Sequence, residues 1–214
     1  MKKILFPLSI ILLCGMQNAH AQIPVTDSSF VGKSVTLQEI NSSSFSVSTN
    51  KTFHLIFPNE VKYFSIGDEN VAGEKIDVYP CAIRLKSVVP SFEGLTNMSV
   101  VTADGQYYSY NISFTPELLE TYLQVGKEYR QPPVVSVNDN QQSHLIFPDK
   151  IIYVDYGTAD VEVLKASGVD NIIAVRASAV FDRQTNVTVV TQSGKFYTFN
   201  LKFPDWVTTV TFVC

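Results

Sequence analysis

Polar and apolar residues alternate with a period of two over long stretches of this chain, and the same alternation returns about ninety residues later. Tyr108, Tyr110, Ile112 and Phe114 fall on one face, and Tyr107, Ser109, Asn111 and Ser113 on the other. The second occurrence sets Tyr197, Phe199, Leu201 and Phe203 against Phe196, Thr198, Asn200 and Lys202. Alternation of this kind predicts a half-buried strand with one aromatic face toward a core. Just upstream, Met98 and Val100 alternate with Asn97 and Ser99, and Val187 and Val189 repeat the pattern. Asp104-Gly105 and Ser193-Gly194 lie between the paired runs, so each copy is expected to end in a β-hairpin with a two-residue turn.

The recurrence extends well beyond that hairpin. His54-Leu55-Ile56-Phe57-Pro58 returns as His144-Leu145-Ile146-Phe147-Pro148, an offset of 90 (144 minus 54), and Thr96-Asn97 returns as Thr185-Asn186, an offset of 89 (185 minus 96). The offset drops between Lys86/Arg176 and Phe92/Phe181, so one copy carries an extra residue in a connection or bulge. Further strands are expected over Phe53 to Phe57, Val61 to Ile66 and Ile83 to Ser87, with Pro58 and Pro148 closing the first strand of each copy.

The fold expected is all-β. Two similar small antiparallel β-sandwich (immunoglobulin-like) repeats, 52–115 and 143–206, are joined by a linker at 116–142. Within the linker, Pro116 to Leu123 predicts a short helix with Gly126 near its stop, and Gln131-Pro132-Pro133 predicts a stiff extended spacer. Residues 22–51 read as an N-terminal arm in which Val35-Thr36-Leu37 and Phe45-Ser46-Val47 are candidate edge strands, and 207–214 as a tail. Roughly 65 residues is near the lower limit for an independent core, so the copies are expected to lean on each other or on partners.

Residues 1–21 fit a cleavable signal peptide. Met1-Lys2-Lys3 is followed by the apolar Ile4 to Leu13, and Ala19-His20-Ala21 meets the small-x-small rule. The apolar run is too short to span a membrane. Leu13 before Cys14 does not suit lipidation, so an exported chain beginning at Gln22 is expected. Without Lys2 and Lys3 the 16 basic residues become 14 against 20 acidic, moving the net charge from −4 to −6. That balance argues against direct nucleic-acid binding, which needs a concentrated positive field. Cys81 and Cys214 remain, either paired or as two unpaired thiols; nothing in their spacing sets a geometry.

Chemistry-bearing patterns are sparse. His54 and His144 have no His, Cys or carboxylate set spaced around them for metal or acid-base work. No Gly-x-Ser-x-Gly elbow and no Gly-rich phosphate loop is present. Asp68-Glu69-Asn70 reads as a solvated turn, because its counterpart Thr158-Ala159-Asp160 lacks the same ligand density. Two sequons, Asn97-Met98-Ser99 and Asn186-Val187-Thr188, fall inside expected strands and read as strand-pairing residues. No catalytic, cofactor or metal site is expected, and an enzyme is not. Four residues stand out as interaction candidates. Lys86 and Arg176 are basic residues pointing away from the core side of equivalent strands, and Tyr107 and Phe196 place an aromatic ring on the non-core face.

The ordered pattern Leu-Ile-Phe-Pro, Tyr-x-x-x-Gly, a basic residue, Thr-Asn-x-x-Val-Val-Thr and Gly-x-x-Tyr-x-x-Asn resembles the conjugative-transposon TraN family of Bacteroidetes. More distantly it is similar to the β-sandwich domain of periplasmic outer-membrane core subunits in type IV secretion systems. Leu55 to Pro58, Tyr63, Gly67, Lys86, Thr96, Asn97, Val100 to Thr102, Gly105, Tyr108 and Asn111 carry it once. Leu145 to Pro148, Tyr153, Gly157, Arg176, Thr185, Asn186, Val189 to Thr191, Gly194, Tyr197 and Asn200 carry it again. The resemblance implies a non-enzymatic envelope component of a DNA-transfer machine, periplasmic and associated with the outer membrane through partners. Those partners would be other conjugation or secretion subunits, in a homo- or hetero-oligomer. The alternative is a periplasmic or cell-surface module for glycans or adhesion, with exposed Tyr and Phe stacking on sugar rings.

Overall fold

The computed structural model describes residues 40–204 and 211–214, and Ile40–Cys214 forms one compact unit. The signal peptide, Cys14 and the candidate strand Val35-Thr36-Leu37 lie outside the described residues. Within them the chain is all-β, with sixteen strands in two sets of eight. The first set is β1 (Ser43–Val47), β2 (Phe53–Ile56), β3 (Val61–Ile66), β4 (Val71–Lys75), β5 (Ala82–Ser87), β6 (Thr96–Thr102), β7 (Tyr107–Phe114) and β8 (Tyr122–Gln124). The second set is β9 (Val134–Ser136), β10 (Ser143–Ile146), β11 (Ile151–Tyr156), β12 (Val161–Lys165), β13 (Ile172–Ala177), β14 (Thr185–Thr191), β15 (Phe196–Lys202) and β16 (Thr211–Val213).

These strands form four sheets of four. Sheet A has the order β1-β7-β6-β3 and sheet B the order β4-β5-β2-β8. Sheet C repeats A as β9-β15-β14-β11, and sheet D repeats B as β12-β13-β10-β16. A and B make one sandwich and C and D the other. Period-two alternation sends Phe53, Leu55, Ile83 and Leu85 of sheet B inward against Met98, Val100, Tyr110 and Ile112 of sheet A. Leu145, Phe147, Ile173 and Val175 meet Val187, Val189, Phe199 and Leu201 in the same way in the second sandwich. Phe92 packs edge-on against Phe114 and Phe181 against Phe203, so even the loop aromatics repeat.

Three expectations are corrected. The segment from Pro116 to Leu123 contains no helix: Leu118 and Thr121 are buried, and Tyr122, Leu123 and Gln124 pair in parallel with His54, Leu55 and Ile56. Eight residues hold little helix by themselves, and the open edge of β2 offers the backbone donors and acceptors of a ladder instead. Residues 116–142 are therefore not a separate joint, since β8 completes the first sandwich and β9 begins the second. Nor are the sheets purely antiparallel. β1 and β9 run parallel to β7 and β15, and β8 and β16 run parallel to β2 and β10.

The hairpin turns are the third correction. Thr102 donates to the Gln106 carbonyl (3.0 Å) and Gly105 to the Thr102 carbonyl (2.9 Å), which encloses three loop residues. Gly105 has φ 78°, and among the described residues no non-glycine residue has positive φ. A type I turn closed by a left-handed glycine fits that backbone, and a two-residue type I′ turn does not. Thr191 and Gly194 repeat the arrangement. The change of offset falls in the connection between β5 and β6, one residue longer than that between β13 and β14.

Candidate functional site

The sandwiches stack face to face, giving the layer order A-B-C-D, and the seam between B and C is the most elaborated polar region of the described residues. It follows from what the two strand sets present outward. From sheet B come His54 and Ile56 on β2 and Ala82, Arg84 and Lys86 on β5; from sheet C come Tyr153 and Asp155 on β11, Asn186 and Thr188 on β14, and Phe196 on β15. Burial records the contact directly. Every residue of β14 is buried, whereas the equivalent β6 alternates as a one-sided strand.

At one end the seam is apolar. Ile56, Ile76 and Ala82 form a small core with Tyr79, Tyr122, Tyr153 and Phe196. The Phe196 ring lies 5.3 Å from His54 and 6.0 Å from Tyr122. Its centre is charged. Arg84 donates to Asp155 at 2.8 Å and also pairs with Glu74. Burial pushes the Asp155 carboxyl above its usual range, and the Arg84 guanidinium pulls it back. His54 is fully buried, and its Nε2 sits 3.5 Å from the same carboxylate. Desolvation, helped by Arg84, lowers its pKa to about 3, so the imidazole is neutral despite the nearby acid, whose charge Arg84 already engages. Lys86 donates to the Gly157 carbonyl across the seam, and burial lowers its pKa.

At the other end the backbone itself is clamped. Asn186 donates through Nδ2 to the Thr52 carbonyl and accepts from the Thr52 amide through Oδ1, both at 2.9 Å. Asn50 donates to the Gln184 carbonyl at 2.8 Å. Lys51, 3 % exposed, places its ammonium on the Leu118 carbonyl at 2.8 Å and on Gln184 Oε1 at 3.3 Å.

The four interaction candidates separate. Lys86 and Phe196 belong to the seam, facing the neighbouring sandwich of the same chain. Tyr107 and Arg176 lie on the outer faces of sheets A and D: Tyr107 is half exposed with its hydroxyl on Ser99 at 2.6 Å, and Arg176 pairs with Glu162. Sequence reasoning missed Asp155 and Arg84 and read Asn186 only as a strand-pairing residue, whereas all three hold polar contacts of the seam. The differences Asp155/Ser65 and Arg84/Ala174 between otherwise matched copies were the available signal. Cys81 and Cys214 are separate free thiols. Among the described residues no three His, Cys, Asp or Glu side chains form a metal-binding group. A cleft of about 480 Å³ opens beside the seam, lined by Tyr122, Arg130, Pro132, Phe196 and Tyr197 among others.

The family described as "Domain of unknown function (DUF8473)" matches residues 45–118 and again 135–207. The chain belongs to this family. Its two DUF8473 matches cover most of the two sandwiches: they take in most of β1 and β9, the parallel edge strands outside the expected repeats, and stop before β8 and β16. No curated protein matches the chain. Among solved structures it is similar to the mixed-linkage glucan utilization locus SGBP-B of Bacteroides ovatus, solved with a mixed-linkage heptasaccharide. That likeness has 14% identity over 83% of this chain and 44% of that one, with a TM-score of 0.21. It is also similar to SporoSAG of Toxoplasma gondii, at 11% identity over 76% of this chain and 96% of that one, with a TM-score of 0.25. The chain spans less than half the length of SGBP-B, and at these scores neither likeness bears on fold or ligand.

Proposed function

We propose that the protein is an exported, non-catalytic assembly subunit, the periplasmic, outer-membrane-associated component of a conjugative DNA-transfer complex that its resemblance to the TraN family implies. The observation that supports this reading best is the use of sheet faces. One pair of faces is sealed inside the chain by matched polar and apolar contacts, while the equivalent faces of sheets A and D stay uncovered among the described residues, with Tyr63 and Tyr107 on one and Leu164 on the other. Exposed aromatics set among small polar residues suit protein contacts. The partners would be other subunits of the transfer apparatus, and DNA would pass without being handled by this chain. Affinity recovery of the tagged protein from crosslinked, gently solubilised envelopes tests it. Co-purification with conjugation-channel subunits in a large particle is expected, and recovery as a free species overturns it.

A second reading, glycan binding, is favoured by the aromatic cleft beside the seam, where rings and Arg130 gather on one concave surface. A glycan array with wild type and Tyr122→Ala separates the two readings.

A further inference from the structure

Sheet C repeats sheet A and sheet D repeats sheet B, so the contact between B and C joins two different faces of one repeating unit. Such a head-to-tail contact leaves one unused copy of each face at the ends of the stack. The outer face of D corresponds to the one B uses, and the outer face of A to the one C uses. We infer that a second copy of this chain docks its sheet A against sheet D of the first, reproducing the B–C seam between molecules. This rests on the assembly reading above and names one partner for it.

The residues at the two ends match each other as well as the faces they copy. Backbone-directed elements are kept: Asn97 stands where Asn186 clamps the Thr52 backbone, and Gly67 stands where Gly157 offers its carbonyl to Lys86. Arg176 replaces Lys86 as the basic residue; it donates to Glu162 through Nη2, and its buried Nε has no hydrogen-bond partner among the described residues. Aromatic positions are kept as Tyr63 for Tyr153 and Tyr107 for Phe196. His144 repeats His54.

The buried charges, in contrast, vanish on both sides together. Arg84 becomes Ala174 and its partner Glu74 becomes Leu164 on sheet D, while Asp155 becomes Ser65 on sheet A. Losing only one side would bury an unpaired charge in a D–A contact, at considerable cost. Losing both leaves no unpaired charge at that place, and the Arg176–Glu162 pair remains on sheet D.

The test is sedimentation velocity over a concentration series, on the purified exported chain and three variants. Wild type should associate reversibly with growing concentration. Ser65→Asp alone and Ala174→Arg alone should each weaken association about tenfold or more, by placing an unpaired charge in the contact. The double variant S65D/A174R recreates the Arg84–Asp155 pair between molecules and should restore it. Unchanged thermal melts show that all three fold, as expected at positions where the other copy already carries Arg or Asp. A monomer up to the solubility limit overturns the inference, and so does association indifferent to both single substitutions or not restored in the double. If the wild type is monomeric while envelope partners are still recovered, only the self-contact falls. If both are absent, the assembly reading falls with it.

Discussion

Asn186 treats Thr52 as a strand neighbour would: its side-chain amide takes the Thr52 carbonyl and its carbonyl takes the Thr52 amide, each at 2.9 Å, across 134 residues of chain. Both residues are buried, so water cannot replace either bond. Asn186→Ala leaves a buried donor and a buried acceptor unpaired, each costing about 1–3 kcal/mol. A loss of about 2–4 kcal/mol is expected in urea unfolding. Asn97→Ala, on the exposed equivalent, should stay within about 0.5 kcal/mol.

Acid should weaken the fold through His54. Its folded pKa is lowered to about 3 from an ordinary 6.5, so between those values the unfolded chain binds a proton that the folded chain refuses. Stability therefore rises with pH across that window and is lost as pH falls below about 6.5, by up to about 1.4 kcal/mol per unit. Asp155 acts in the opposite sense: its raised pKa makes protonation favour the folded state just above the ordinary carboxylate range. His54→Gln should flatten the acid limb of a stability–pH curve measured by urea unfolding. An unchanged slope would remove His54 as the cause.

Gly157 lies where the seam closes most tightly. A Cβ there would come within 2.4 Å of the Asn50 carbonyl oxygen and of Thr185 Oγ1. The carbonyl is backbone and cannot swing away, so Gly157→Ala must shift the two sandwiches apart or distort β11, a cost of about 1–3 kcal/mol. At Gly67 the nearest obstacle is the exposed Asn97 side chain, which can rotate. Gly67→Ala should be nearly neutral in the same unfolding assay, and only the Gly157 variant should speed proteolysis at the seam.

What the sequence made legible, and what it hid, follow from the same repetition. The strands β6, β7, β14 and β15 were readable because alternation of period two is a local signal, and each appears twice. β8 was misread as helix because Pro116 and Glu117 imitate a helix start. The correction lay in the other copy: Tyr122-Leu123-Gln124 aligns at offset 89 with Thr211-Phe212-Val213, whose β-branched residues suit a strand and not a helix. The seam was hidden for a different reason. Asn97 and Asn186 are the same residue in the same local pattern, and only the stacking order decides that one is exposed and the other buried.

Phe196 and Tyr107 carry that distinction into a final prediction. Both are aromatic, both stand on the non-core face of the last hairpin strand, and the sequence treats them alike. Phe196 is packed against His54 and Tyr122 beneath the opposing sheet, whereas Tyr107 is 46% exposed and held by a single hydroxyl bond to Ser99. Removing a packed ring leaves a cavity, so Phe196→Ala should cost about 3 kcal/mol. Tyr107→Ala uncovers little and should cost under about 1 kcal/mol. Self-association should respond in the reverse order. Because Tyr107 occupies on sheet A the place that Phe196 holds on sheet C, its loss should weaken contact between molecules while leaving the melting temperature nearly unchanged. Sedimentation and thermal unfolding of the same two variants measure both responses. A Tyr107→Ala protein that associates as wild type would show that the outer face of sheet A is not used as its internal counterpart is.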